Sequence, residues 1–494
     1  MAQHSRANES QGQIQYDNHG QQHRETTSAD NLNALSIIQS SAPCEPEIGP
    51  FVDSSSPTYS ASSLDPLQVP SEVLADSTSA RGLDAHCCLA RNDDGVPSTA
   101  LVRFEYLNQG GANVIFKILP WWHASVEPGP PFVFFDAKID GTKATPLHRK
   151  ALLRQVLRVN KGLEKTLRCD EVISGFYSHV RPLFLPGSIE VVHTDPETAT
   201  TTAVPTNLPN LDFTKYLMEH RGVMLYSSVM AYLSSKSDAI VAETHSESSA
   251  SNHLTAKRWG ICLPDMSPMP GSSVTLEIKP KWLAQSPTAP RNAQRCRTCA
   301  LQVAKPKDPK KYLCPLLLVE GSRDDLYPWV SARVEEQLAG TADLPTRRQM
   351  ELITHVSSQI STYLTEGDGR SLLIHIRLLQ TLLDPQGVLS RDQFSANLRP
   401  LFDHNLRLAM TLRDCSLYIK VGYTTSKMDA AIIDCRLGDM DFKSPDKIVD
   451  WHQKEWDLIN RAAYSGESGD HLGCIRVGKP RPRQGSSGSL LANT

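Results

Sequence analysis

The most informative part of this chain is Leu412–Lys443, which reads LRDCSLYIKVGYTTSKMDAAIIDCRLGDMDFK. Two apolar, β-prone runs in it carry acidic residues at their ends, with Asp414 before the first run and Asp439 and Asp441 after the second. An acidic side chain beside buried strands is costly unless it is paired or binds a ligand. Two such positions suggest an enzyme that uses one carboxylate near a hydroxyl group and another on a metal ion.

The size and charge of the chain limit the classes of protein to which it can belong. Its 494 residues permit two or three domains, and a hydrophobic fraction of 40% allows an ordinary soluble core. A net charge of −3 argues against bulk nucleic-acid binding, so any anion would be met by a local patch. The sequence has no apolar run of about 18 residues for a transmembrane helix. Residues 1–40 lack the pattern of a secretory signal.

The number of cysteines gives an expectation for the cellular compartment. There are 11 of them, scattered along the chain, and an odd number without a signal peptide favours reduced thiols. We therefore expect a protein of the nucleus and/or the cytoplasm. No oligomer pattern is present, so a monomer without membrane or nucleic-acid partners is the expectation.

Composition divides the chain into four parts. Residues 1–97 are rich in Ser, Gln, Asn, His and Pro without helix or strand periodicity, which predicts a disordered tail. Residues 465–494, rich in Gly, Ser, Pro and Arg, predict a second tail. Between the tails β-type runs come first and helical runs later. This order predicts an α+β protein with a β-rich lobe at 98–265 and a larger, mostly helical lobe at 266–464.

Hydrophobic periodicity predicts the elements that would carry functional residues. Strands are predicted at Ala100–Tyr106, Val114–Leu119, Leu152–Val159, Ile261–Pro264 and Val274–Ile278. Helices are predicted at Cys169–His179, Arg295–Ala304, Trp329–Leu338, Arg347–Leu364, Ser371–Leu383, Gln393–Arg413 and Trp451–Ala463. Residues 180–192 are expected to be extended, 193–210 to form a loop, and 227–256 to end in another loop.

Two features near the N-terminal strands could bind phosphate. The turn Gly110-Gly111-Ala112-Asn113 could lay backbone N–H groups over phosphates, or it could be a plain β-hairpin turn. Arg158 lies on a strand with apolar neighbours, where it could pair with a phosphate or face water at a sheet edge.

The segment Glu277-Ile278-Lys279-Pro280-Lys281 is more specific. On an extended segment residues two apart share a face, so Glu277, Lys279 and Lys281 would point together. Two ammonium groups on one face repel each other unless an anion lies between them or water solvates them. Because proline cannot donate to a β-ladder, Pro280 marks a strand end or a sheet edge. The alternatives are an anion site and a solvated edge strand.

Arg291–Lys311 combines a basic run with cysteines. It could hold a polyphosphate, serve as a nuclear-import patch or be a solvated surface. Cys296, Cys299 and Cys314 supply three thiols, whereas a structural zinc site needs four ligands and no histidine lies at a convincing spacing. The alternative is small thiols buried on a helix.

The acidic residues suggest two separate roles, proton acceptance and metal binding. Asp414, predicted at the end of a long helix, could accept a proton from a hydroxyl group. Asp439-Met440-Asp441 alternates acid, apolar and acid, which on a strand would put both carboxylates on one face to hold Mg²⁺ with ATP phosphates. Lys443 adds a cation on the same side. The segment is similar to the Asp-Phe-Gly segment of kinases, except that Phe442 is followed by Lys443 rather than glycine.

Taken together, these motifs resemble the inositol-pentakisphosphate 2-kinase family. Its motifs occur here in family order from about Ala100 to Trp456, and EIKPK at Glu277–Lys281 is the sharpest. The others are YLNQGGAN at Tyr106–Asn113, VLRV at Val156–Val159, the helix 295–305, YLCPL at Tyr312–Leu316, LQTLLD at Leu379–Asp384, RDCS at Arg413–Ser416 and GDMDFK at Gly438–Lys443.

The resemblance implies a two-lobed fold distantly like protein kinases, with ATP and Mg²⁺ as cofactors. It implies transfer of the ATP γ-phosphate to the 2-hydroxyl of inositol 1,3,4,5,6-pentakisphosphate, which gives inositol hexakisphosphate. The nucleotide would be bound by Gly110, Gly111, Ala112, Asn113 and Arg158. The remaining roles implied are catalysis for Asp414 and Lys279, inositide binding for Lys281, Lys305 and Lys443, and metal binding for Asp439, with Asp441 beside it.

This chain departs from the family pattern at three places. Leu301 stands where the family often has a histidine that contacts a substrate phosphate, and Leu163 stands where it has an arginine. An expected asparagine pair is not evident near Ala339–Asp343. These departures leave open a catalytically weak or inactive inositol-phosphate-binding protein on the same fold. The cysteines Cys296, Cys299 and Cys314 and the basic run leave open a third possibility, a zinc-stabilised scaffold that meets RNA or another acidic partner.

Overall fold

The computed structural model describes residues 101–120, 132–133, 135–136, 152, 154–163, 166–194, 200–225, 227–237, 258–305, 311–339, 345–465 and 474. Within these residues the protein is a mixed α+β structure with antiparallel sheets and helices, as the sequence predicts. The prediction of a disordered tail at 1–97 lies outside the described residues. None of the described helices combines the length and apolarity that crossing a membrane requires.

The strands of the first part of the chain form a seven-stranded antiparallel sheet in the order β3-β1-β2-β5-β9-β8-β4. Its strands are β1 Leu101–Gln109, β2 Asn113–Pro120, β3 Phe132–Val133, β4 Phe135–Asp136, β5 Gln155–Asn160, β8 Arg221–Leu225 and β9 Arg258–Pro264. Because side chains alternate along a strand, the sheet buries both faces. Leu157 packs with helix α2 (Ser227–Lys236) on one face, and Val156 packs with helix α1 (Cys169–Gly175) on the other.

Two smaller sheets follow. Strands β6 (Ser188–Thr194) and β7 (Thr201–Asn207) form a hairpin. Strands β10 (Ser273–Ile278), β11 (Ser416–Thr424) and β12 (Asp429–Gly438) form a three-stranded antiparallel sheet with β11 in the centre.

Seven further helices lie in the described second part of the chain. They are α3 Arg297–Ala304, α4 Leu317–Glu320, α5 Arg323–Leu338, α6 Thr346–Thr365, α7 Asp368–Leu383, α8 Arg399–Asp414 and α9 Lys447–Asn460. The largest cluster of buried apolar residues joins helices α5 to α8 to the apolar faces of β10, β11 and β12. The sheet is therefore a fixed platform, and the residues at its ends are held by the core beneath them.

Two predictions about local structure are wrong. Residues 180–192 are not continuously extended, because Arg181–Phe184 forms a 3₁₀ helix. The Thr-rich residues 193–210 contain β7 rather than only a loop, since threonine is β-branched and fits a pleated strand. The segment 227–256 begins with a helix, Ser227–Lys236, for which no prediction was made and which buries Val229, Met230 and Leu233 against the seven-stranded sheet. The loop predicted at the end of this segment lies outside the described residues.

Candidate active site

Sheet register brings two of the predicted site residues to one edge of the three-stranded sheet. Ile278 pairs with Leu417, and Ser416 pairs with Gly438. The chain that leaves β10 therefore lies beside the start of β11 and the end of β12. Lys279 and Asp439, the residues directly after β10 and β12, must meet there.

The first group of polar side chains at this edge is centred on Lys279. Its ammonium nitrogen lies 3.0 Å from Asp439 Oδ2, 2.6 Å from Ser416 Oγ and 3.1 Å from Glu277 Oε1. Burial opposes the charged form of Lys279, but the carboxylates of Asp439 and Glu277 outweigh burial, so the pKa of the ammonium group is raised. Lys279 is thus a fixed positive charge held between two carboxylates.

The second group is centred on Asp414, the last residue of helix α8. Its Oδ1 accepts a hydrogen bond from Lys281 Nζ at 3.0 Å, and its Oδ2 accepts one from Lys443 Nζ at 2.8 Å. Burial opposes ionisation of the carboxyl, and the two ammonium groups overcome this effect and lower its pKa to about 2. Asp414 is therefore an ionised carboxylate that can accept a hydrogen bond or a proton.

The two groups are joined covalently by short stretches of chain. Lys279 and Lys281 are two residues apart, and so are Asp414 and Ser416. Lys281 and Asp439 have positive φ angles of 52° and 56°. Non-glycine residues seldom adopt this left-handed conformation, and it is kept mainly where surrounding structure over-determines it, often at functional sites.

Asp441 faces a different direction from Asp439, so the prediction that both carboxylates share one face is wrong. The reason is that β12 ends at Gly438, and the positive φ of Asp439 turns the chain away from strand geometry. Asp441 Oδ2 instead accepts a hydrogen bond from Arg158 at 2.7 Å, and His220 Nε2 lies 3.8 Å from Asp441 Oδ1.

Arg158 and Asp441 form an ion pair between β5 of the seven-stranded sheet and the segment that follows β12. Only 5% of the Arg158 side chain is exposed, so the alternative that Arg158 faces water at a sheet edge is wrong. Burial raises the pKa of the Asp441 carboxyl, while Arg158 and His220 lower it more, and the net result is a lowered pKa. The pair fixes the chain directly after Asp439. Nucleotide binding by Arg158 and metal binding by Asp441 stay untested, and the ion pair favours a structural role for Asp441 instead.

The glycine-rich turn joins β1 to β2 as a hairpin. The Gly110 N–H donates to the Asn113 carbonyl at 2.8 Å, and the Lys161 N–H donates to the Ala112 carbonyl at 2.9 Å, which ties the turn to the end of β5. Among the described residues, apart from the chain neighbours of each glycine, no atom lies within 4 Å of the position that a Cβ would take at Gly110 or at Gly111. The described part of the chain thus leaves space beside both glycines of this hairpin, which another group can approach.

Lys305 directly follows helix α3, where it is exposed, and no hydrogen bond or ion pair among the described residues joins it to these two groups. Leu301, one turn earlier, packs against an apolar cluster that includes Leu458 and Tyr464. Leu163 is 47% exposed on the chain after β5. Most of the Ala339–Asp343 region, where the asparagine pair is expected, lies outside the described residues.

Glu277 and Ser416 belong to the site but were not among its predicted residues. Glu277 was placed on the face of Lys279 by its spacing, so its contact was predictable even though a role was not assigned. Ser416 Oγ lies 2.9 Å from Glu277 Oε1 and 2.8 Å from Asp439 Oδ2. Only the pairing of β10 with β11 places this hydroxyl, and that pairing depends on residues far apart in the sequence.

A separate group of four buried cysteines lies at the N-terminal end of helix α3. The Sγ atoms of Cys296, Cys299, Cys314 and Cys474 all lie within 4.8 Å of one another. Backbone N–H groups also point at two of the sulfurs, from Cys299 to Cys296 Sγ at 3.5 Å and from Cys296 to Cys474 Sγ at 3.4 Å. Four thiolates at this spacing could hold a tetrahedral structural Zn²⁺.

Sequence reasoning found three of these thiols and missed the fourth. Cys474 lies in the stretch predicted to be a C-terminal tail, yet it is buried against Cys296. It is 160 residues from Cys314 along the chain, so no spacing motif could have included it.

We expect the purified protein to carry about one zinc ion per chain, because a closed set of four cysteine ligands favours this metal. Removal of the metal should destabilise the fold, since Cys296 caps helix α3. Metal analysis after dialysis should show zinc in wild type and in a Cys435→Ser control, and not in Cys474→Ser. Folded wild-type protein free of zinc would contradict this expectation.

Comparison with known proteins agrees with the motifs. The family model described as inositol-pentakisphosphate 2-kinase matches residues 106–457, which is more than two thirds of the chain. An inositol-pentakisphosphate 2-kinase of Yarrowia lipolytica is 31% identical over 198 residues, covering 39% of this chain and 54% of the relative. One of Debaryomyces hansenii is 23% identical over 230 residues, covering 42% of this chain and 54% of the relative.

A polar edge with paired lysines and carboxylates is the kind of site that phosphoryl transfer requires. The chain belongs to the inositol-pentakisphosphate 2-kinase family, as its motifs predict. It spans about half the length of the curated relatives that it matches.

Proposed function

We propose that this protein is a kinase that transfers the γ-phosphate of ATP to the 2-hydroxyl of inositol 1,3,4,5,6-pentakisphosphate, with inositol hexakisphosphate and ADP as products. The observation that carries the proposal is the junction of two charged groups, one around Asp439 and the other around Asp414, by the single segment Lys279-Pro280-Lys281. One group would serve the nucleotide phosphates and the other the inositide. Family membership supports the substrate class.

Asp414 would accept the proton of the attacking hydroxyl group. Its pKa of about 2 makes it a weak base, which suits a transition state with little bond formation to the nucleophile. The carboxylate would orient the hydroxyl and take its proton late in the reaction. Lys279 would neutralise charge on the transferred phosphate.

Lys281 and Lys443 would bind inositide phosphates together with Lys305. Five phosphates require several cations, and hydrogen bonds from lysine to phosphate are charge-assisted and strong. In this structure Lys281 and Lys443 are both engaged by Asp414. The substrate would therefore draw these ammonium groups away from a carboxylate as it binds.

The residues around Asp439 fit Mg²⁺. This ion prefers hard oxygen ligands and keeps several of its waters, so it needs only one or two carboxylates. The Asp439 side chain is 51% exposed, and the Glu277 carboxylate shares Ser416 Oγ and Lys279 Nζ with it. When bound, Mg²⁺ would neutralise charge on the ATP phosphates. Asp439 would hold it, while Asp441, through Arg158, would keep Asp439 in place.

The turn Gly110–Asn113 would cover the ATP phosphates. Glycine at two successive positions leaves room for a phosphate to approach the backbone N–H groups. In the proposed arrangement the seven-stranded sheet is one lobe and the three-stranded sheet with its helices is the other, as in distant relatives of protein kinases. The Arg158–Asp441 ion pair connects the two parts.

The packing of Leu301 favours a second candidate function, an inositol-phosphate-binding protein with little or no activity. Leu301 contributes to an apolar cluster, so the phosphate contact that the family often makes there with histidine is lost. The rest of the substrate site would then determine whether transfer still occurs.

One assay separates the two functions. Purified protein is incubated with ATP, Mg²⁺ and the pentakisphosphate, and hexakisphosphate is measured by chromatography. Calorimetry then measures the binding of each ligand. The kinase should bind both ligands and form hexakisphosphate. Binding of the inositide without ATP–Mg²⁺ binding and without product would favour the second function.

A further inference from the structure

A buried glutamine links the two segments that carry Lys281 and Asp414. We propose that Gln380, on helix α7, is the positioning residue that sets the distance between these two side chains, an inference that rests on the proposed function. Gln380 is 1% exposed and therefore touches no substrate. Its influence on the reaction would be exerted through the backbone on which Lys281 and Asp414 stand.

The carboxamide of Gln380 uses its hydrogen-bonding groups on these two segments. Its Nε2 donates to the Lys281 carbonyl at 2.8 Å and to the Leu412 carbonyl at 3.3 Å, and its Oε1 accepts from the Leu283 N–H at 3.0 Å. The Lys281–Leu283 segment and the end of helix α8 are thus bound to one rigid planar group. Asp414 is two residues beyond Leu412.

The set of partners specifies glutamine at this position. Two carbonyl groups require two donors, and one N–H requires an acceptor, which is what an amide in this orientation provides. An ionised glutamate would place a second acceptor against the two carbonyls, and an apolar side chain would leave all three backbone groups without this partner. Buried backbone groups without partners cost stability.

A second set of buried contacts holds the residues next to these segments. Arg413 lies with its guanidinium carbon 3.5 Å from the centre of the Trp282 ring and donates to Asp384 Oδ2 at 2.5 Å and to the Gln380 carbonyl at 3.3 Å. The guanidinium carbon of Arg297 also lies over the Trp282 ring, 4.4 Å from its centre. Trp282 directly follows Lys281, and Arg413 directly precedes Asp414.

Lys281 needs this support because its backbone has the left-handed conformation, with φ at 52°. Released from Gln380, the segment would be free to relax toward ordinary backbone angles. The 3.0 Å contact of Lys281 Nζ with Asp414 Oδ1 would then lengthen or change direction. A misplacement of about 1 Å at reacting groups can reduce a rate about 100-fold.

The test compares Gln380→Met, which keeps the side-chain length without polar atoms, with Gln380→Glu. Gln349→Met is the matched control, because Gln349 also donates to a carbonyl, that of Leu338 at 2.9 Å, in the contact of helices α5 and α6. We expect Gln380→Met to lower kcat about 100-fold and to weaken pentakisphosphate binding, with the KM for ATP changed less than about twofold. The control should keep wild-type kcat.

The pH profile of Gln380→Glu distinguishes positioning from a general loss of stability. Burial beside carbonyl groups raises the pKa of a glutamate, and only its protonated form can donate to the Lys281 carbonyl. The ratio of its kcat to that of wild type should therefore rise as the pH is lowered. If Gln380→Met does not fold, the pH dependence of kcat in Gln380→Glu still tests the positioning role.

Wild-type kcat in a folded Gln380→Met variant would overturn the proposal. So would a Gln380→Glu variant whose kcat ratio to wild type does not change with pH. Wild-type protein is assayed alongside, so absence of hexakisphosphate from wild type would instead reject the proposed function. In that case calorimetry with the pentakisphosphate still tests positioning, because Gln380→Met should bind it more weakly than wild type does.

Discussion

Replacing Asp414 by asparagine should lower kcat for phosphoryl transfer by about 1,000-fold, within the range that general bases contribute. The variant should nevertheless bind inositol pentakisphosphate at least as tightly as wild type. The reason is that the Asp414 carboxylate engages the ammonium groups of Lys281 and Lys443. Because asparagine is neutral, it does not compete with the substrate phosphates for the two ammonium groups, so both lysines become more available to phosphate.

The measurement is kcat by product analysis and the dissociation constant by calorimetry, both on the same preparation. Asp434→Asn is the matched control, because this carboxylate also lies within hydrogen-bond distance of a cation, with its Oδ1 2.8 Å from Arg436 Nε on β12. The control should keep both constants. An Asp414→Asn variant that loses inositide binding, or one that keeps wild-type kcat, would contradict the role assigned to Asp414.

The pH dependence follows from the same ion pairs. A carboxyl whose pKa is lowered in the folded state stabilises that state above its unfolded pKa, and the stabilisation is lost as the pH falls through the folded value. For Asp414 the loss is expected between the ordinary value of 3.8 and about 2. Asp414 should therefore not add an acid limb to the pH–rate profile near neutral pH.

The second large effect concerns Asp439 and Asp441, which lie two residues apart. Substitution of Asp439 should mainly lower kcat, whereas substitution of Asp441 should mainly lower stability. Asp439→Asn should lower kcat at least about 100-fold through loss of the metal ligand and the partner of Lys279, with little change in unfolding free energy, because the side chain is half exposed. Asp441→Asn should destabilise the fold by about 3 kcal/mol, because Arg158 would keep a buried charge without its counter-ion.

Chemical denaturation gives the two unfolding free energies, and titration of activity with Mg²⁺ gives the metal dependence. Asp439→Asn should need more Mg²⁺ than wild type for its residual activity. In Asp441→Asn the activity of the protein that remains folded should depend on Mg²⁺ much as wild-type activity does. The assignment fails if Asp441→Asn shifts the Mg²⁺ dependence while Asp439→Asn leaves it unchanged.

The sequence was sufficient to predict elements whose pattern is local. The β1, β2 and β10 strands and the helices α6 to α8 follow from apolar spacing, because one face of each packs on a core. The identity of Lys279, Lys281, Asp414 and Asp439 as neighbours came from family motifs, since no local pattern brings residues so distant in sequence together.

Other features depended on tertiary structure and could not be predicted. The opposite directions of Asp439 and Asp441 result from a single left-handed residue at the end of β12, which alternation along a strand does not reveal. The burial of Arg158 depends on the chain that follows β12 reaching β5. Cys474 joins the other three cysteines only through a long-range contact. Each of these is a contact between residues separated by more than a hundred positions or a backbone angle set by such contacts.

The proposed function requires one edge of the three-stranded sheet to serve both an ATP phosphate and the 2-hydroxyl of an inositol pentakisphosphate. The most direct measurement is label transfer: the folded chain is incubated with Mg²⁺, inositol 1,3,4,5,6-pentakisphosphate and ATP labelled in its γ-phosphate, and the product is examined by NMR. The predicted result is labelled hexakisphosphate with the label at position 2. Label at another position, or folded protein that binds both ligands and yields no labelled hexakisphosphate, would contradict the proposed function.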